Sequence, residues 1–172
     1  MIFCGVRVQY VGQIPPSGGL IICPNHISNF DPVAVGALTT RKVRLLAKKE
    51  LFAFKPFGAL IRALGATPVN RGISDTAAVK TCINVLRGGE ALLIFPQGTR
   101  VEVLTPQSIR TGAAKIAKRT GVPIVPVGIR GNYKIWSRTT IRVGNPISAE
   151  RIAQCDDDEL RQLLYTEIAA LL

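Results

Sequence analysis

The chain has 172 residues, 47% of them hydrophobic, with a positive mean hydropathy, enough for one domain with a core and incompatible with a disordered chain. Lysine and arginine number 22 against 11 acidic residues, a formal charge of +11, which points to an anionic partner: nucleic acid, an acidic membrane surface, a phosphorylated small molecule or an acidic carrier protein. Nucleic acid is set aside, because aromatics make up only 6% and no helix-turn-helix, zinc-finger or RNA-stacking pattern occurs.

Met1-Ile2-Phe3-Cys4 lacks a basic leader and a long apolar core, so no signal peptide is expected. Strands are predicted at 5–11 and 20–23, on either side of the Pro15-Pro16-Ser17-Gly18-Gly19 loop, and the first helical stretch follows at 32–39. Further strands are expected at 43–47, 67–69, 91–95, 124–129 and 140–143, and helices at 55–64, 75–87, 109–119 and 157–171. Lys55 and Arg62 interrupt the apolar stretch 51–69, and no run reaches the roughly 20 residues a spanning helix needs. Cys4, Cys23, Cys82 and Cys155 are scattered without paired spacing, so free thiols are expected and no metal site. Alternating strands and helices predict an α/β fold: a single domain, 1–172, with a mostly parallel or mixed central sheet covered by helices.

Two chemically equipped segments fall where predicted strands end. Leu20-Ile21-Ile22-Cys23 runs into Asn25-His26, and the chain's one histidine is followed five positions on by Asp31. A histidine held by a carboxylate can take a proton from a hydroxyl near neutral pH. On a continuous helix the two would lie about 140° apart, so a turn must bring them together. Asp31 precedes Pro32, which makes it a natural helix cap; taken alone, the pair reads as a strand-end histidine and a capping aspartate. Ala91-Leu92-Leu93-Ile94-Phe95 then runs into Pro96-Gln97-Gly98-Thr99-Arg100, a pattern suited to an anion-binding turn. Gly98 would let backbone amides approach a ligand, and Arg100 could grip a phosphate bidentately. Arg71 follows a short strand, and Val122-Pro123-Ile124-Val125-Pro126-Val127 reads as a buried strand.

In this order these blocks resemble the glycerolipid acyltransferase superfamily. Asn25, His26 and Asp31 match its Asn-His-x4-Asp block, and Arg71 matches the arginine ending its second. Phe95, Pro96, Gly98, Thr99 and Arg100 match Phe-Pro-Glu-Gly-Thr-Arg, and residues 122–127 the fourth block. Ala47-Lys48-Lys49-Glu50-Leu51, the Pro56-Phe57-Gly58 turn and Gly112-Ala113 also look like that family. The chain departs from it at Gln97, where the pattern has glutamate; glutamine keeps an acceptor oxygen and loses the charge.

The resemblance implies transfer of a fatty acyl group from acyl-CoA or acyl carrier protein to 1-acyl-glycerol-3-phosphate, giving phosphatidic acid, with no bound cofactor. His26 would be the general base and Asp31 its orienter; Arg100, Arg71 and Lys48 would bind phosphate, and the turn Gln97, Gly98, Thr99 would face the oxyanion and acceptor. Another lysolipid or an amino-acid-derived lipid is the alternative acceptor, and a non-catalytic anionic-lipid-binding module the alternative of another class. Phe54 and Phe57, in an apolar segment with Lys55 and Arg62, are expected to touch the membrane. The expected location is cytoplasmic, peripheral on the inner face of the cell membrane.

Overall fold

The computed structural model describes residues 5–48, 52–53, 58–59, 62, 65–69, 76–101, 103–134 and 137–172, with the backbone alone at 46–48 and 67–69. Phe54, Phe57 and Arg71 lie outside the described residues, as does most of the predicted helix at 55–64.

Seven strands form one sheet: β1 (Gly5–Tyr10), β2 (Leu20–Pro24), β3 (Val43–Lys48), β4 (Ala66–Val69), β5 (Ala91–Leu93), β6 (Ile124–Arg130) and β7 (Arg138–Val143), in the order β1-β7-β6-β2-β5-β3-β4. Every pairing is parallel except β6 with β7, which is antiparallel. The sheet is therefore mixed, as expected, with β1 and β7 running against the other five. The central strands read as uninterrupted apolar runs because both faces are covered: every residue of β2 and β5 is buried.

Five α-helices are described: α1 (Asp31–Gly36), α2 (Thr76–Arg87), α3 (Gly112–Thr120), α4 (Ala149–Gln154) and α5 (Asp157–Ala169), with a 3-10 turn at Pro106–Ser108. Alternation along β2 divides the core. Ile21 and Cys23 pack with Leu86 of α2, Ala114 and Ala117 of α3, Ile152 of α4 and Leu164 of α5. Leu20 and Ile22 face the opposite way, with Val35 of α1, Leu45, Leu93, Val127 and Ile141. Gly128 permits a close approach on β6, since a Cβ there would lie 2.5 Å from the Leu171 side chain.

Several predicted boundaries change, and one helix is added. β5 stops at Leu93, two residues early, because the chain bends into the turn that carries the second motif. The helix expected at 109–119 begins only at Gly112, after the 3-10 turn. The short helix α4 went unpredicted, although Ser148 caps it by accepting from the Arg151 amide. Because β2 and β5 are parallel neighbours, their carboxyl ends lie side by side, and that places Asn25-His26 next to the turn at 95–100.

Candidate active site

The first side chain past β2 extends the sheet. Asn25 is buried; its amide nitrogen donates to the Ile129 carbonyl at 2.9 Å, and its oxygen accepts from the Ile129 amide at 2.6 Å. The side chain thus completes one more rung against β6 after the β2 backbone has turned away, and holds His26 at the sheet's rim.

The next residues reverse direction around one carboxylate. Asp31 is fully buried, and its Oδ2 accepts from the amides of Ile27 and Ser28, each at 2.7 Å, while lying 2.8 Å from Nδ1 of His26. This corrects the capping expectation. Phe30 occupies the N-cap of α1, no side-chain cap bond forms, and Asp31 is the first helical residue with its carboxylate turned back onto the loop. Two amides and an imidazole there give Oδ2 three partners at once. A neutral imidazole beside a carboxylate carries its proton on Nδ1, which leaves Nε2 as the basic atom. The His26 side chain is 17% exposed, so it is held from within yet reachable.

The second motif wraps the same histidine. The Phe95 ring stacks on the imidazole with centroids 4.0 Å apart. Gln97 is buried, and its side-chain oxygen accepts from the His26 backbone amide at 2.7 Å; the Val101 amide donates to the His26 carbonyl at 3.4 Å. Gly98 has φ of +72°, and its amide donates to the Phe95 carbonyl at 3.0 Å, closing the turn. Thr99 and Arg100 are exposed on that turn.

Two members of the expected oxyanion turn carry contacts of their own. The Gln97 oxygen is taken up by the His26 main-chain amide, a buried donor that needs an acceptor. The Gly98 amide is committed within the turn and leaves Thr99 as the exposed residue of the expected oxyanion set. Of the expected phosphate ligands, Arg100 lies at this site, whereas Lys48 ends β3 with its side chain outside the described residues.

Sequence reasoning missed Arg110. Its amide donates to the Pro96 carbonyl at 2.8 Å, and its guanidinium lies across Gly98, 3.5 to 3.6 Å from where a Cβ would stand. A side chain at position 98 would therefore meet both the left-handed backbone and this guanidinium. The only sequence signal was another arginine two residues before Gly112. Among the described residues the thiols supply no competing nucleophile: Cys23, Cys82 and Cys155 are buried, and burial pushes the Cys23 thiol well up and the Cys82 thiol to about 11; Cys4 lies outside the described residues.

The family model described as Acyltransferase matches residues 5–130. Among curated relatives, the 1-acyl-sn-glycerol-3-phosphate acyltransferase of Bacillus subtilis is 33% identical over 128 residues, covering 74% of this chain and 63% of that protein. The enzyme of the same name from Streptococcus pneumoniae is 34% identical over 146 residues, covering 81% of this chain and 53% of the relative. The chain thus spans less than two thirds of the length of these relatives. The crystal structure of the 1-acyl-sn-glycerophosphate acyltransferase PlsC from Thermotoga maritima superposes with a TM-score of 0.74 at 24% identity, covering 96% of this chain and 70% of that one, and shares its fold. The chain belongs to the acyltransferase family.

Proposed function

We propose that this acyltransferase-family domain moves a fatty acyl group from an acyl-CoA or acyl carrier protein thioester to the free hydroxyl of 1-acyl-glycerol-3-phosphate, giving phosphatidic acid. The observation that carries the reading is the 2.8 Å contact between His26 Nδ1 and a fully buried Asp31, with the phosphate-binding candidate Arg100 on the turn that bonds the His26 backbone. Nε2 of His26 takes the acceptor's hydroxyl proton as that oxygen attacks the thioester carbonyl. Asp31 keeps the other ring nitrogen protonated and stabilises the imidazolium. As the tetrahedral intermediate collapses, the carbon–sulfur bond breaks and the imidazolium returns the proton to the departing thiolate, so no acyl-enzyme is needed. Arg100, exposed on the turn, and Arg110, lying across Gly98, offer bidentate donors to the acceptor's phosphate. The names of the relatives support the choice of acceptor, and the charge of +11 suits work at the inner face of an acidic membrane.

The test is a panel of acceptors, 1-acyl-glycerol-3-phosphate among other lysolipids and amino-acid-derived lipids, with each thioester donor, using the unmodified protein and His26→Ala. We expect 1-acyl-glycerol-3-phosphate to be acylated fastest, and His26→Ala to lower kcat by about 10²- to 10⁴-fold. Transfer that survives in His26→Ala would overturn the mechanism; liposome binding by both proteins with transfer by neither would leave an anionic-lipid-binding module.

A further inference from the structure

The loop joining β6 to β7 brings one more side chain to the buried carboxylate. Tyr133 has φ of +53°, a left-handed backbone that a non-glycine residue adopts only where its surroundings impose it. Here they do. The Tyr133 amide donates to Thr139 Oγ1 at 3.0 Å, and Thr139 is itself buried at the start of β7. The Tyr133 ring meets Phe30 edge-on, centroids 5.3 Å apart, and Phe30 immediately precedes Asp31. These constraints hold the ring against the residue that immediately precedes Asp31, near enough for the phenol to feel the carboxylate's charge. Asp31 Oδ2 already carries three partners, whereas Oδ1 is equally buried and has none within hydrogen-bond geometry. A buried carboxylate oxygen left without a donor is costly. Burial, together with the Asp31 charge, holds the phenol protonated and well above its ordinary range, so it can serve only as a donor there.

We propose that Tyr133 is a positioning residue for the His26–Asp31 pair, its hydroxyl donating to Asp31 Oδ1. Tyr133 would clamp the carboxylate from the side opposite the imidazole, fix its rotation, and draw off part of the negative charge that would otherwise fall on the imidazolium. The β6–β7 loop would then hold the base from the far end of the chain. The catalytic part of this inference rests on the acyl-transfer reading above; the hydrogen bond itself does not. Among the described residues, the groups facing the pair are Tyr133 from the β6–β7 loop and Phe95 with neutral Gln97 from the turn after β5, which also carries Arg100 and against which Arg110 lies.

Tyr133→Phe keeps the ring, its contact with Phe30 and the loop, and removes only the hydroxyl. Because His26 is the chain's one histidine, its imidazole can be titrated by NMR without assignment, in this variant and in the unmodified protein. Loss of the donor leaves more negative charge facing the imidazolium, so the His26 pKa should rise, by about half a pH unit or more. The acid limb of kcat/KM should move to higher pH by the same amount, since the base works only when deprotonated. At neutral pH kcat should fall about 3- to 10-fold, the size of one hydrogen bond's net worth. An unchanged His26 titration in Tyr133→Phe would overturn the proposal whether or not the protein transfers acyl groups. If the titration shifts while the unmodified protein transfers nothing, the hydrogen bond stands and the acyl-transfer reading fails.

Discussion

At position 97 the family pattern's glutamate is replaced by glutamine, and the side chain's contact explains why the loss of charge is tolerable there. Its oxygen accepts the His26 backbone amide at 2.7 Å from a buried position, a task that needs a lone pair and no net charge. Gln97→Glu should therefore fold and retain kcat within about tenfold. Gln97→Leu, of similar volume, strands the His26 amide and should lose about 1–3 kcal/mol of stability together with much of kcat, since the histidine backbone is no longer pinned. Urea unfolding and steady-state rates of the two variants check this; equal rates would break the link between Gln97 and His26. Asp31 carries the second lesson at this scale. Its position before Pro32 predicted a helix cap, yet the carboxylate turned backwards, because the amides of Ile27 and Ser28 and the His26 ring lie on that side. Sequence spacing paired Asp31 with His26, a contact the structure contains, and expected a helix cap, which it lacks, since a cap and a reversed loop place an aspartate at the same point in the chain.

Among the elements, the apolar runs of β2, β5 and β6 were legible because they are buried on both faces, and the structure finds them within two residues of the expected spans. The ends were less legible. β5 yields to the turn at Pro96-Gln97-Gly98 because Gly98 adopts a left-handed backbone and the Gly98 amide closes on Phe95, and periodicity says nothing about where a strand gives way. Asn25 belongs to this scale too, since it acts as a rung of the β2–β6 ladder made by a side chain. Asn25→Val keeps the volume and branching suited to a strand but leaves the Ile129 amide and carbonyl unpartnered, so stability should drop by about 1–3 kcal/mol. Because the same rung holds His26 at the rim, kcat should fall as well. Thermal melting and acyl-transfer rates measured together check the prediction, and a lowered melting temperature with an unchanged rate would make the rung purely structural.

For the whole molecule, the charge of +11 is a property of no single residue. The exposed side chains of Arg100 and Arg110 at the candidate site are part of it. If that surface draws the protein to anionic membranes, sedimentation with vesicles rich in acidic lipid should fall several-fold between about 0.1 M salt, with a screening length near 10 Å, and about 1 M, near 3 Å. Binding indifferent to salt, or equal on neutral vesicles, would place the charge elsewhere in the protein's work. The sequence by itself determined the α/β class, the buried central strands and the two motifs at strand ends, because apolar periodicity and residue chemistry are local properties that a chain displays in order. Only the tertiary structure decided which groups meet. Parallel pairing of β2 with β5 puts Gln97 against His26 across 71 positions, the β2–β6 ladder joins Asn25 to Ile129 across 104, and the loop before β7 brings Tyr133 against Phe30 beside Asp31. These contacts depend on strand order, which residues distant in sequence settle together through the packing of one shared sheet.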